Sequence, residues 1–177
     1  MRPGQDLVVA GYAGLAGTVR IIEHKRQMLE QWFQPDYLEA VTDCYHSVKS
    51  GSPADWSLPG ITEWEGSAGG GILKTFWDLS GAYQTGIRFS LRNIPIRQET
   101  IEICERLELN PYRLYSEGCW LLVSDNGGRT AEVLMEQGMT AGVAGIVIPG
   151  VAREMLGNGT TGYLERPKPD EILKIVQ

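Results

Sequence analysis

Residues 119–124, CWLLVS, are an unbroken apolar run, and residues 141–148, AGVAGIVI, are a second one. A strand that is apolar at every position has no face to offer to water, so such runs read as central strands covered on both sides. Between them DNGG supplies a turn, residues 129–137 carry the pattern of a helix, and Gly138 suits the C′ position that ends it. Strand, helix and strand at this spacing describe either a direct βαβ unit or a ferredoxin-like split arrangement. Both belong to a layered α/β or α+β domain, a mixed sheet flanked by helices.

The rest of the chain alternates in the same way, with no internal repeat. DLVVA (6–10) reads as a short buried strand. Leu15, Val19, Ile22, Leu29 and Trp32 share one helical face, which predicts a helix over 15–33. Pro35 suits the first position of a second helix, with Leu38, Val41 and Tyr45 as its apolar stripe. Residues 47–60 are rich in Pro, Gly and Ser, and read as a surface connection anchored by Trp56 or as a lid. Residues 61–64 look like a strand, and Ile72, Leu73, Phe76, Trp77 and Ser80 recur at helical spacing. Ile87, Phe89 and Leu91 alternate with Arg88, Ser90 and Arg92, the mark of a half-buried strand. A helix over 97–107 with Ile101, Cys104 and Leu107 inward stops at Asn110-Pro111, because the residue before proline is pushed out of the helical region. GNGTTGYLE predicts a turn with Asn158-Gly159 at its tip and then a strand, and a short helix follows Pro169.

Composition narrows the functions open to such a domain. The 177 residues suffice for one core, and a formal charge of −6 with scattered basic residues argues against nucleic acid. No apolar run approaches the ~20 residues that span a bilayer, so no membrane partner is expected. The first residues lack the apolar core of a signal peptide. Cys44, Cys104 and Cys119 are an odd number without CxxC spacing, which opposes a disulfide framework. A cytoplasmic address is expected.

Most residues with reactive side chains read as structural. GNGTTG matches a dinucleotide fingerprint in letters, but a strand-like, proline-broken stretch follows it instead of a helix. His24 and His46 fall on different helices, too far apart for a tight metal site. Cys104 and Cys119 read as buried small hydrophobes; Cys44 is the more exposed thiol, without a nameable base. Glu63, Glu65 and Asp78 could converge, though spacing alone does not bring them together. No catalytic residue and no metal ligand is assigned. What remains is EGSAGGGIL (65–73), four glycines in nine residues ahead of a helix. Backbone N–H groups there can converge on an anion, aided by the helix dipole. The phosphate-contacting candidates are therefore Ser67, Gly69, Gly70 and Gly71, with ATP or phosphate as ligand. Against this, the nearest cation is Lys74 and Glu65 would repel a phosphate. From the residues alone a tight structural turn is the stronger reading, since glycine's first use is conformational.

The stretches DLVVAGYAGLAGT, GGGILKTFWDLSGAYQTGI, IPIRQETIEICERLELNPYRLYSEGCWLLV and AGVAGIVI, in this order, resemble the C-terminal domain of the aminoimidazole ribonucleotide (AIR) synthase-related superfamily. Within it, the hydrogenase maturation factors are the branch they resemble most. The resemblance implies a single domain over 1–177, a mixed sheet with helices packed on it, and a glycine loop facing a nucleotide cleft. In that superfamily an N-terminal domain supplies most of the ATP and magnesium site. Here it is absent, and the last residues, DEILKIVQ, lack the terminal cysteine carrier of the cyanide-ligand branch. The family loop reads Asp-x-Thr-x-Gly-Gly. Aligned on Gly70-Gly71, this chain offers Gly66 and Ala68 at the polar positions, or Glu65 and Ser67 after a one-residue slip. The resemblance therefore implies a stand-alone domain, non-catalytic by itself, that self-associates or joins a separate ATP-binding-domain protein. The alternative is an ATP- or phosphate-dependent enzyme whose site is completed across an oligomer.

Overall fold

A computed structural model describes residues 1–47, 52–56, 58, 60–157 and 159–176. The chain runs through β1 (Asp6–Ala10), α1 (Leu15–Leu29), α2 (Pro35–Ser47), β2 (Ile61–Gly66), α3 (Gly71–Ala82) and β3 (Gly86–Ser90). It continues through α4 (Gln98–Arg106), β4 (Trp120–Ser124), α5 (Gly127–Glu136), β5 (Ala141–Ile148), β6 (Arg153–Leu156) and β7 (Thr161–Tyr163). Among the described residues the strands form one seven-stranded sheet in the order β2-β4-β1-β5-β3-β6-β7. β1 is antiparallel to both β4 and β5, so β4-α5-β5 is the split form of the βαβ unit with β1 inserted. β3 and β6 pair in parallel, which makes the sheet mixed.

The apolar run of β4 explains the layering. Leu121, Leu122 and Val123 are all buried, because helices cover both faces there. On one face Leu7, Val9, Leu121 and Val123 meet Ile72 and Phe76 of α3, and Phe76 stacks on Phe89 with ring centroids 4.2 Å apart. On the other, Val8, Ala10 and Leu122 meet Ala131 and Leu134 of α5, together with Trp56. Trp56 is thus the anchor expected of the 47–60 connection. The lid reading falls largely on 48–51, 57 and 59, outside the described residues. Helices α1, α2 and α4 build a second cluster around Leu38, Ile103, Leu114 and Ile172.

Several local expectations are corrected. The helix predicted over 15–33 ends at Leu29 and is interrupted at Lys25 (φ −130°, ψ 22°), with Leu15, Val19, Ile22 and Leu29 all buried as expected. Trp32 therefore falls in the turn after the helix and lies on the surface, with the Arg106 guanidinium 4.7 Å from its ring centroid. In α4 the inward residues are Thr100, Ile103 and Cys104, while Ile101 is exposed. Leu91 belongs to a single 3₁₀ turn rather than to β3. β2 extends through Gly66, α5 begins at Gly127, and β6 arises where no strand was expected. β5 is less buried than its apolar sequence suggests: Ala144 and Val147 are covered, and Ile146 is exposed. Ile146, Arg88, Glu154 and Tyr163 lie side by side in register on the α5 side of the sheet. Tyr163 is 68% exposed there and Leu156 is 39% exposed.

Candidate functional site at the N-terminus of α3

The glycine loop is shorter than its sequence suggests, because Glu65 and Gly66 are strand residues of β2 paired with Leu121 and Trp120. Ser67 leaves the sheet with its N–H donating to the Cys119 carbonyl at 2.8 Å. The Ala68 carbonyl accepts from Gly71 at 3.1 Å and from Ser116 at 3.2 Å, which fastens the turn to the 110–116 connection. Gly70 is the left-handed N-cap of α3 (φ 85°). Gly71 has φ 67°, and a Cβ there would sit 2.5 Å from the Tyr112 carbonyl oxygen. Both conformations and this close approach require glycine whatever the loop binds.

An α-helix leaves its first N–H groups without helical partners, and an anion at that end is favoured by the dipole. Here the anion belongs to the chain itself. Asp170 Oδ2 accepts from Gly70 N at 2.7 Å, while its Oδ1 accepts from Tyr115 N at 3.1 Å and from Ile172 N at 2.9 Å. One carboxylate thus caps α3, holds the 110–116 connection and starts the 3₁₀ turn Glu171–Lys174. Beside Gly70, a cavity of about 10 Å³ is lined by Gly70, Lys74, Arg113, Glu165, Arg166 and Lys168 among others. That is room for about one water and not for a phosphate. Arg113 and Lys168 pair with Glu165 at 3.2 and 2.8 Å and hold its carboxyl below the usual range, and Lys74 pairs with Asp78.

Of the residues singled out by sequence, Gly70 and Gly71 sit at the helix start, Gly69 is exposed, and Ser67 is buried. The Ser67 hydroxyl, on a residue 4% exposed, has no hydrogen-bond partner. An orphaned buried hydroxyl carries a desolvation penalty, so its presence is an observation to be explained. The carboxylates Glu63 and Asp78 are not brought together: Glu63 pairs with the N-terminal ammonium at 2.7 Å and Asp78 with Lys74. Among the described residues no group of three or more His, Cys, Asp or Glu could hold a metal ion. Burial pushes the thiols of Cys104 and Cys119 up to about 12, which leaves essentially no thiolate at neutral pH. Cys44 accepts from Arg97 Nη1 at 3.2 Å. No helix among the described residues is long and apolar enough to cross a membrane.

Asp170 is the residue that sequence reading misses. Pro169-Asp170-Glu171 does signal a helix start, but the bond to Gly70 spans 100 residues and is purely tertiary.

The sheet order and the glycine turn ahead of α3 define a fold rather than an activity. No family model matches the sequence, and a search of curated proteins finds no match. Solved structures do match. HypE from E. coli, a hydrogenase maturation protein, has a TM-score of 0.71 at 18% identity, over 96% of this chain and 52% of that one. A HypE in complex with ATP has a TM-score of 0.69 at 19% identity, over 97% and 53%. AaThiL complexed with AMPPCP and TMP has a TM-score of 0.59 at 15% identity, over 90% and 50%. HypE has also been solved in complex with HypF. The fold is therefore that of the AIR synthase-related proteins, and the chain spans about half the length of each neighbour.

Proposed function

We propose that residues 1–177 act as one AIR synthase-related C-terminal-type domain, non-catalytic by itself, that works by joining a second copy or a separate protein carrying the ATP-binding domain. The observation that carries this reading is the closure of the glycine loop: the Gly70 N–H is already committed to Asp170, and about 10 Å³ is open beside it. The uncovered sheet face supports the association half of the reading. Ile146, Leu156 and Tyr163 are exposed there together, and such apolar patches mark interaction sites. The half-length coverage of HypE and AaThiL supports it too, since in those chains the matched region is one part of a larger molecule. A cytoplasmic setting with neither nucleic acid nor membrane as partner fits the −6 charge and the composition.

A second reading is favoured by the Ser67 hydroxyl. Buried without a partner, it is a donor ready for an anion, and beside Gly70, a few residues on, Lys74, Arg113, Arg166 and Lys168 line a space together with Glu165. In this reading Ser67, Gly69, Gly70 and Gly71 touch ATP or phosphate in a site completed across an oligomer. The HypE solved with ATP lends it support.

Light scattering over a range of concentrations, paired with a thermal-shift titration of ATP and magnesium, separates the two. The first reading expects a concentration-dependent rise in mass that Tyr163→Asp abolishes, and no thermal shift. Strictly monomeric protein at high concentration that recovers no partner counts against it. The second expects a shift growing as ln(1 + [L]/Kd), reduced in Ser67→Ala. A flat titration at millimolar ATP sinks the second.

A further inference from the structure

We infer that the uncovered sheet face binds the same face of a second copy, with Arg88 of each copy over Glu154 of the other. This rests on the first reading above, that the chain works by association, and adds which partner the face fits and in what orientation.

Helix α5 packs over β1, β4 and β5, and beyond it Ile146, Leu156 and Tyr163 stand exposed. Across the neighbouring strands β5, β3, β6 and β7 one row reads Ile146, Arg88, Glu154, Tyr163. It is apolar, positive, negative and apolar, and its two charges pair at 2.6 Å. Residues two apart along a strand share a face, so this row has neighbours on either side. They are Gly86 with Ile148, and Ser90 with Leu156 and Thr161, and neither row carries a charge.

The central ion pair selects the occupant. An apolar surface laid over it would strip both charges of water and return nothing, which is costly. A uniformly basic or acidic surface would attract one member and repel the other. What complements the whole row is the same row reversed. Stacked sheets pack about 10 Å apart with their strands roughly aligned. Half a turn about an axis parallel to the strands, above the junction of β3 and β6, reverses the row and keeps the strand direction. Each Arg88 then lies over the second copy's Glu154, and each Ile146 over the second copy's Tyr163. An axis across the strands would set Arg88 over Arg88 and Glu154 over Glu154, which like-charge repulsion opposes. The favoured contact is isologous, so it closes at a dimer. Four short strands make a small interface, and the dimer is therefore read at high protein concentration.

Sedimentation of the full chain, up to millimolar concentration, tests this through charge reversal. Arg88→Glu and Glu154→Arg are each expected to weaken self-association by about tenfold or more, because every pair across the copies becomes like-charged. Mixed in equal amounts, the two variants are expected to dimerise at least as well as wild type, since each supplies the charge the other lacks. A variant that merely misfolds is not rescued by mixing. The double variant keeps opposite charges within the chain and across the copies, and is expected to dimerise like wild type. A wild type that dimerises while the mixture stays monomeric overturns the charge-over-charge arrangement and leaves association standing. So do single variants that dimerise as tightly as wild type. A wild type that stays monomeric at millimolar concentration overturns the second copy as the occupant, and leaves a separate protein as the partner in the first reading.

Discussion

Two helices in this chain begin on glycines directly after a strand and a serine, and the pair repays comparison. α5 follows β4, whose last residue is Ser124, and opens with Gly127-Gly128. α3 follows β2 and Ser67, and opens after Gly69-Gly70. Each N-terminus receives a remote carboxylate. Asp6 Oδ2 accepts from Gly127 N at 2.8 Å, beside the local cap Asn126, whose Oδ1 accepts from Arg129 N at 3.0 Å. Asp170 Oδ2 accepts from Gly70 N at 2.7 Å. The difference lies in where the carboxylates come from. Asp6 opens the central strand β1, with neighbours on both sides. Asp170 comes from a segment outside the sheet. The serines differ as well, since Ser124 Oγ is bonded to Thr130 Oγ1 at 2.7 Å and accepts from Asn126 N at 3.1 Å, whereas Ser67 Oγ has no partner. Two turns that look alike in sequence therefore serve different ends. One is a finished structural cap, and the other is a cap with unused capacity.

The largest effect separates the glycines. Gly71→Ala combines a positive φ with a Cβ 2.5 Å from the Tyr112 oxygen, and is expected to cost about 3 kcal/mol or more in urea unfolding. Gly128→Ala meets nothing closer than Asn126 Oδ1 at 3.7 Å and is expected to be neutral or to stabilise by up to about 1 kcal/mol. Equal costs would break the distinction between a glycine set by packing and one that is not.

Next in size are the caps. Asp6→Ala is expected to lower global stability by about 1–2 kcal/mol, the usual loss for a helix cap, with all amides of α5 affected together. Asp170→Ala is expected to cost less, below about 1 kcal/mol, and to concentrate its effect in faster exchange of 171–176. If both variants unfold as one cooperative unit with the same loss, Asp170 is as structural as Asp6.

How much of this was legible beforehand depends on the range of the interaction. The apolar runs at 119–124 and 141–148 and the periodicity of 72–80 announced β4, β5 and α3, because burial on both faces and helical spacing are local patterns. Thr100 did not announce itself. A polar residue enters the core of α4 since its hydroxyl bonds to Thr18 Oγ1 at 3.2 Å, a partner 82 residues away. The helix stops at Leu29, so Trp32 falls in the following turn and faces outward although the apolar spacing runs on to it. The glycine loop was found by composition, but its true occupant, Asp170, was not, since a cap supplied across 100 residues leaves only an ordinary Pro-Asp-Glu in the sequence.

The serines give effects of opposite sign. Ser124→Ala strips Thr130 and Asn126 of a buried partner and is expected to cost about 1 kcal/mol. Ser67→Ala removes a hydroxyl that is already unpaired, and is expected to leave stability unchanged or raised by up to about 1 kcal/mol. A loss at Ser67 comparable to that at Ser124 would mean that the hydroxyl is satisfied in solution, and would remove its claim to a ligand.

The smallest effect is electrostatic, and it reads the two sites side by side. Beside α5, hydrogen bonds from Arg2 and then Gln5 hold the Asp125 carboxyl below its ordinary 3.8. Beside α3, hydrogen bonds from Lys168 and then Arg113 hold Glu165 below 4.5. Because both folded values lie below the unfolded ones, each contribution is fully present above the ordinary value and is lost as pH falls through the folded one. Both carboxylates are exposed, so the acid limb of the melting curve is expected to change only slightly in Asp125→Asn or Glu165→Gln. An NMR titration of the two side chains makes the comparison sharper. Inorganic phosphate bound beside Gly70, as the second reading has it, brings negative charge next to Glu165 and draws on the same cations, so the Glu165 titration is expected to move upward while that of Asp125 stays fixed. If both move together, or neither moves, phosphate does not distinguish the two helix ends.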